Sequence, residues 1–364
     1  MNKTLHIHAF SHTELSTDFQ TCAHTQKIVK FLPMMHKLGY KMHVYGTAID
    51  PSLEQYVESF TSCLSQEERE TWHGRWSQST MPGFHSFSPN NMLATWHERL
   101  INRTGERLEA GDIIAIFGGP VLVPLMEEHF PDALVVEAGI GYEQSSAKYR
   151  VFESHPWLHY TMGLEKMGDG SWNHDVIPNY FDPDDFPLSY TREDYLLFVG
   201  RLIQRKGLLE AAEVAKQAGR KLIVAGPGHM SYVPGERLLF SGGDLHFSGD
   251  AVEYVGTLDV ATRAEVMGKA HALLAPTLYV EPFGGVTIEA NFCGTPAITT
   301  DWGAFTETII PGLNGDRFRT PEQGVAAVNR RYHPTEIHMH ALRNYSLEAV
   351  GPMYDAYFKR IQSE

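Results

Sequence analysis

Glu281 and Glu289 bracket the turn Pro282-Phe283-Gly284-Gly285-Val286, and carboxylates on both sides of a glycine pair suit a ligand with hydroxyls at its ends and an anion between them. The run Ala272-Leu273-Leu274-Ala275-Pro276 ahead of the turn reads as a buried strand, and the apolar segment after it as a short buried helix. A strand, a Gly-containing turn and a helix start leave backbone N–H groups unpaired, where an anion can take them up. If the helix begins near Gly285, Glu289 lies about one turn in, within reach of vicinal hydroxyls. Glu281, before the turn, is within reach of a second polyol. A ribose, a diphosphate and a sugar fit that order of groups. Against this stands a plain structural reading, because acids early in a helix are common for reasons of the helix dipole alone.

Cations join the carboxylates upstream. Tyr195-Leu196-Leu197-Phe198-Val199-Gly200 is a continuous apolar run suited to a strand buried on both faces, and Arg201, Arg205 and Lys206 follow it. Arg offers a rigid fork and Lys a compact charge, so together they can neutralise a diphosphate from two directions.

The order of these pieces resembles the signature of the retaining glycosyltransferases of family 4, which have the GT-B fold: Glu281-Pro282-Phe283-Gly284, then a second Glu at 289. The resemblance covers the second half of the chain, through Val199-Gly200-Arg201-Leu202, Lys206-Gly207, Val224-Ala225-Gly226-Pro227-Gly228, Val255-Gly256 and Asn291-Phe292-Cys293-Gly294-Thr295-Pro296. It implies an α/β protein of GT-B type, with two Rossmann-like doubly wound domains facing a central cleft. An acceptor-side domain over 1–180, rejoined by a helix at 346–364, and a nucleotide-sugar domain over 181–345 are expected.

By the same resemblance the catalytic residues are Glu281, Arg201 and Lys206, with Glu281 at the donor sugar and Glu289 on the ribose. Donor-binding residues are Gly200, Gly226, Tyr254, Val255, Thr257, Phe283, Gly284, Gly285, Val286 and Glu289, the stretch from Tyr254 to Leu258 lying against the base. The reaction implied moves a hexosyl unit from a nucleoside diphosphate sugar, UDP- or GDP-linked, to a saccharide or other hydroxyl acceptor. Its leaving diphosphate is stabilised by Arg201, Lys206 and the amides of Gly284, Gly285 and Val286, with no metal or other cofactor required. Three alternatives stay open: a GT-B epimerase acting on the sugar nucleotide, a glycoside hydrolase or phosphorylase with two flanking carboxylates, and a non-catalytic sugar-nucleotide binder.

At 364 residues the chain suits two domains. A net charge of −14 opposes sequence-independent attraction to nucleic acid or an anionic membrane surface. The three cysteines, Cys22, Cys63 and Cys293, argue for a reducing compartment rather than a disulfide framework, and the nineteen histidines lack metal-site spacing. With no apolar signal core and no membrane-length run, a cytoplasmic location is expected. The oligomeric state is not legible.

The first half alternates strands and helices, which predicts a parallel sheet covered by helices. Strands are expected at Leu5–Phe10, Lys41–Tyr45, 112–117, 133–137, Trp157–Thr161 and 175–179, and helices over Thr21–Leu38, with a kink at Pro33, and from Val121. Strand C-termini in an open α/β sheet face the ligand crevice, which puts Gly118, Gly119, Glu137, Gly139 and Tyr142 at the candidate acceptor edge. Glu137 reads equally well as a cap or structural carboxylate. The segment 50–110, with Trp72, Trp76, Phe84, Phe87 and Trp96, reads as helices and loops on the sheet before it reads as a carbohydrate platform, with Trp72 and Trp76 kept as candidate acceptor contacts without an assigned role. Two places depart from the family: Ser11-His12-Thr13-Glu14-Leu15-Ser16-Thr17-Asp18 stands where many relatives have a Gly-rich loop, and Val136–Gly141 lacks the histidine many carry. Tyr180–Pro187 reads as a linker, and Leu347–Ile361 as an amphipathic helix.

Overall fold

The computed structural model describes residues 3–19, 22–75, 91–228, 230–233, 236–240 and 251–363. The chain divides into two units, one made of Met1–Glu153, Thr161–Tyr180 and Leu347–Glu364, the other of Ser154–Tyr160 and Phe181–Ser346. Trp76, Phe84 and Phe87 lie outside the described residues, as does Thr21.

The first unit contains β1 (Thr4–His8), α1 (Ala23–Lys37), β2 (Lys41–Gly46), β3 (Ser59–Ser62), α2 (Gln66–His73), α3 (Asn91–Gly105), β4 (Ile113–Ile116), α4 (Gly119–His129), β5 (Leu134–Ile140), β6 (Tyr149–Phe152) and β7 (His174–Val176). The strands form one sheet in the order β3-β2-β1-β4-β5-β6-β7, every pairing parallel. Side chains alternate across a strand, so Leu5 and Ile7 enter one core while His6 and His8 point to the other face. On the first face Ile28, Phe31, Leu32 and Met35 of α1 pack with Val350, Tyr354 and Phe358 of the helix Leu347–Ile361. On the other, Trp96 and Leu100 of α3 and Leu122 and Met126 of α4 cover Ile114 and Ile116.

Burying His6 and His8 requires partners. His6 has Asp112 Oδ2 at 3.0 Å on Nε2 and the Tyr45 hydroxyl at 2.9 Å on Nδ1. The Thr104 hydroxyl donates to the Leu100 carbonyl, so it accepts from His8 Nε2–H at 3.0 Å. Burial lowers the His8 pKa to about 3 and that of His24, on α1, to about 4.

Two expectations for the first half of the chain need correcting. Trp157–Thr161 is helical, inside α5 (His155–Leu164), and the strand of that region is β6 instead. The local signal for the helix is Ser154, whose hydroxyl accepts from Trp157 N–H at 3.2 Å, followed by Pro156 in the first turn. The segment 50–110 also contains the edge strand β3, whose sequence Ser-Phe-Thr-Ser carries too little apolar pattern to stand out.

The second unit follows with β8 (Tyr195–Val199), α6 (Leu208–Gln217), β9 (Lys221–Ala225), the hairpin of β10 (Met230–Val233) and β11 (Glu236–Phe240), β12 (Val252–Tyr254), α7 (Val260–Lys269), β13 (Ala272–Ala275), α8 (Gly285–Phe292), β14 (Ala297–Thr300), α9 (Phe305–Thr308), β15 (Gly315–Phe318), α10 (Pro321–Val328) and α11 (Pro334–Tyr345). Its six-stranded sheet runs β12-β9-β8-β13-β14-β15, again all parallel. Chain order reverses direction between β8 and β13, the switch point at which open α/β sheets bind ligands beyond their strand C-termini. Both units have the Rossmann-like order and the fold class is GT-B. Among the described residues no helix is long and apolar enough to cross a membrane.

His8 and His24 are neutral when folded and bind protons only when the chain unfolds below about pH 6.5. Stability of the first unit is therefore expected to fall as pH drops from 6.5 toward 4, by at most about 1.4 kcal/mol per pH unit for each histidine. Melting temperature against pH should show this fall, with a shallower slope in His8→Gln; an unchanged slope would remove His8 as a contributor.

Candidate active site

The loops after β8 and β13 meet at the switch point. Leu278 N–H donates to the Arg205 carbonyl at 2.8 Å, joining the two loops by their backbones. Gly207 makes the approach possible: its φ is +78°, and a Cβ there would lie 1.8 Å from the Pro276 carbonyl oxygen. This junction sets Lys206 Nζ 2.9 Å from Glu281 Oε2, and Lys206 also donates to the Tyr279 hydroxyl. Glu281 is 7% exposed. Its backbone is fixed as well, the carbonyl accepting from Ala304 N–H at 2.9 Å, while the Pro282 carbonyl accepts from the Ser154 hydroxyl at 2.6 Å.

Tyr279 completes the arrangement. The Arg205 guanidinium sits 4.0 Å from its ring centroid, and its carbonyl accepts from the Trp302 indole at 3.2 Å. Burial first, and then the Glu281 carboxylate, hold the Tyr279 hydroxyl far above its ordinary pKa, so it stays protonated. Arg201 is exposed and its charge is felt at Tyr279. Among the described residues neither Arg201 nor Arg205 has a carboxylate partner. The cluster therefore carries three cations and one anion, which leaves it net positive.

Helix α8 presents its N-terminus after the same loop. Gly284, with φ of +80°, caps it, and its carbonyl accepts from both the Thr287 amide at 2.9 Å and the Thr287 hydroxyl at 2.8 Å. The amides of Gly285 and Val286 meet no acceptor among the described residues. Glu289, one turn on, is held by Arg263 of α7, with Nε 3.0 Å from Oε2 and Nη2 3.3 Å from Oε1. Such a fork is the strong form of an ion pair.

The strand ends beside this cluster are tied to one another. Gly200 N–H donates to Ala225 O at 3.0 Å and Gly226 N–H to Gly256 O at 2.9 Å. The Tyr254 hydroxyl lies 2.9 Å from Gly226 O and 3.0 Å from Gly228 O, so it holds that loop, and Val255 is exposed next to Thr257.

Several expected site residues take other roles. Phe283 is a core residue, its ring 6.2 Å from Phe181 and 5.8 Å from Tyr345, so only its backbone is available to a ligand. In the first unit, Glu137 is fully buried and accepts from the Tyr142 hydroxyl at 2.8 Å and the amides of Ser146 at 2.8 Å and Ala147 at 3.1 Å. Tyr142 in turn accepts from Gly119 N–H at 2.8 Å. Both side chains are thus spent on bracing the loop after β5. A side chain on Gly118 would run into the Phe10 ring, and the Gly139 carbonyl accepts from Lys27 Nζ at 2.8 Å. Trp72 is half-buried, packed edge-on to Trp96 at 6.2 Å.

Tyr279 and Arg263 escaped the sequence reading. Tyr279 had a signal, since in an extended run Tyr279 and Glu281 share a face. Arg263 had none, because it meets Glu289 only through the packing of α7 on α8.

Comparison with known proteins bears on the fold and on the second unit. Residues 184–333 match the family described as glycosyl transferases group 1. An uncharacterized glycosyltransferase of Methanocaldococcus jannaschii is 31% identical over 156 residues, 41% of this chain and 38% of that protein. Glycogen synthase of Mycobacterium tuberculosis is 31% identical over 160 residues, 42% of this chain and 37% of that protein. The chain thus spans less than two-fifths of the length of these curated relatives. Among solved structures, sucrose-phosphate synthase of Thermosynechococcus elongatus aligns over 100% of both chains with a TM-score of 0.69 at 15% identity. Anabaena HepE in complex with UDP-glucose aligns over 99% of this chain and 100% of its own, with a TM-score of 0.63 at 13% identity.

Replacing Gly207 by Ala should force the two loops apart. The expected loss is about 2 kcal/mol or more, from strain at positive φ together with the clash at Pro276. A denaturant midpoint equal to that of the parent would show that the loops do not depend on this contact.

Proposed function

We propose that the protein transfers a hexosyl unit from a nucleoside diphosphate sugar, UDP- or GDP-linked, to a hydroxyl of a saccharide or small-molecule acceptor, with retention at the anomeric carbon, as family 4 glycosyltransferases do. The observation that carries this reading is the ion pair of Lys206 and Glu281 beside Arg201, Arg205 and the open amides of α8. The match of residues 184–333 to group 1 glycosyl transferases supports it.

When the bond from sugar to phosphate breaks, the diphosphate gains negative charge and the anomeric carbon gains positive charge. Donors fixed before reaction stabilise the first without reorganising, and Arg201, Lys206 and the amides of Gly285 and Val286 take that role. The Glu281 carboxylate, held by Lys206 and the protonated Tyr279, steadies the second. Retention follows if the acceptor attacks on the face the diphosphate leaves, its proton passing to a departing phosphate oxygen. Glu289 serves the ribose hydroxyls, and Arg263 keeps its carboxylate aimed. Gly200, Gly226 and the stretch from Tyr254 to Thr257 line the nucleotide end of the same surface.

Melting the protein with UDP-, GDP- and ADP-sugars tests the donor, since a ligand at about 100 times its Kd adds about 2.7 kcal/mol to stability. One of the three is expected to raise the melting temperature, and Glu289→Ala to weaken that rise. Glu281→Gln and Lys206→Ala should each cut turnover by orders of magnitude with folding intact, and NMR of the product should show the donor's anomeric configuration. Turnover at the parent level in either variant would remove that residue from the mechanism; an inverted product would overturn retention.

A further inference from the structure

The first unit buries a guanidinium whose binding capacity is largely unused. Arg69 of α2 is 3% exposed, and its Nε and Nη1 have no hydrogen-bond partner among the described residues. Burying polar groups unpaired costs stability, so such a group calls for an explanation. Nη2 alone is engaged, 3.3 Å from Glu14 Oε1, with Glu70 at 3.7 Å. Glu70 is already occupied by Arg75, whose Nε lies 3.1 Å from it. Glu14, about as exposed as Glu70 at 28% against 26%, has no second cation among the described residues and sits on the loop after β1, at the C-terminal edge of the sheet.

Two histidines also lie near Arg69. His73, one turn along α2, meets the Ser11 hydroxyl at 3.0 Å. His12 is near enough to feel the Arg69 charge, and burial first, with that charge assisting, lowers its pKa to about 3, so it is neutral at physiological pH. Arg69 therefore stands at a strand-end edge near the neutral His12 and the His73 imidazole, with the Glu14 and Glu70 carboxylates both against Nη2 and its Nε and Nη1 left over. A guanidinium in that setting is suited to forked recognition of an oxyanion.

We propose that Arg69 anchors an oxyanion carried by the acceptor, a phosphate or a sugar carboxylate, and that Glu14 holds its place in the free protein until the ligand displaces it. That the anion belongs to an acceptor rests on the transfer reading above; the anion site itself does not. The loop from Ser11 to Asp18, which departs from the glycine-rich pattern of many relatives, thereby gains a selective role.

Calorimetric titration of the full-length protein with inorganic phosphate, glucose 6-phosphate and glucuronate tests the site. Glu14→Gln removes the competing carboxylate from a partly exposed position, so at least one of the three probes should bind about threefold or more tightly than to the parent. Arg69→Gln should weaken that probe about tenfold, with Arg69→Lys between, while Lys206→Ala should leave the Glu14→Gln gain intact. Preference for glucose 6-phosphate or for glucuronate then names the anion. Affinities for all three probes unchanged by Glu14→Gln and by Arg69→Gln would overturn the proposal, as would no binding at tens of millimolar. Should Arg69→Gln not fold, the Glu14→Gln result decides alone. Glycosyl transfer that fails while Arg69-dependent binding persists would sink the functional reading and leave the site standing.

Discussion

The closeness of two backbone loops at one point of the second sheet governs everything else at the site. β8 and β13 are neighbours in space but far apart in the chain, and the topology reverses between them, so their C-terminal loops are the two that no crossover helix separates. Gly207 lets those loops touch, and the contact delivers a lysine from one to a glutamate on the other. A half-buried lysine and a buried glutamate are each costly alone and tolerable together. Pairing does not cancel the local surplus of positive charge, because Arg201 and Arg205 remain. The diphosphate leaving group of the proposed reaction would need that combination.

Tyr279 shows how such a pair is kept from collapsing into a simple salt bridge. Its hydroxyl is shared by Lys206 and Glu281, and its ring is covered by Arg205, so four side chains fix one another's positions through a protonated phenol. Networks of this kind are rigid when every member is satisfied. The same logic accounts for the fork of Arg263 on Glu289, which points a second carboxylate from the helix that also offers the open amides.

Much of the scaffold was legible because the strands of a buried parallel sheet are short continuous apolar runs, and Tyr195–Val199, Lys221–Ala225 and Ala272–Ala275 are of that kind. The start of α8 at Gly285 was legible too, since a glycine pair after a strand stops one element and begins another. What the sequence alone did not show was of three sorts. Trp157–Thr161 was a period error, where aromatic and β-branched residues masked a helix that Ser154 and Pro156 announce. β3 was too polar to read, since an edge strand gets its identity from its partner. Glu137, Tyr142 and Phe283 sit where expected along the chain, but which way a buried side chain turns depends on neighbours distant in sequence, and theirs turn inward. Arg263 and Arg69 are the converse case, charges whose meaning comes only from what packs around them.

The helix Leu347–Ile361 closes the hydrophobic face that α1 and the strands of the first unit begin, with Tyr354 and Phe358 lying among Phe31 and Tyr40. On the ribosome, that segment emerges only after the whole second unit has been synthesised. The earlier-made half must therefore wait with its α1 face uncovered, while the later-made half can complete its own core first. The order of maturation is thereby opposite to the order of translation, and during that interval the nascent chain depends on whatever shields Phe31 and Met35 from other apolar surfaces.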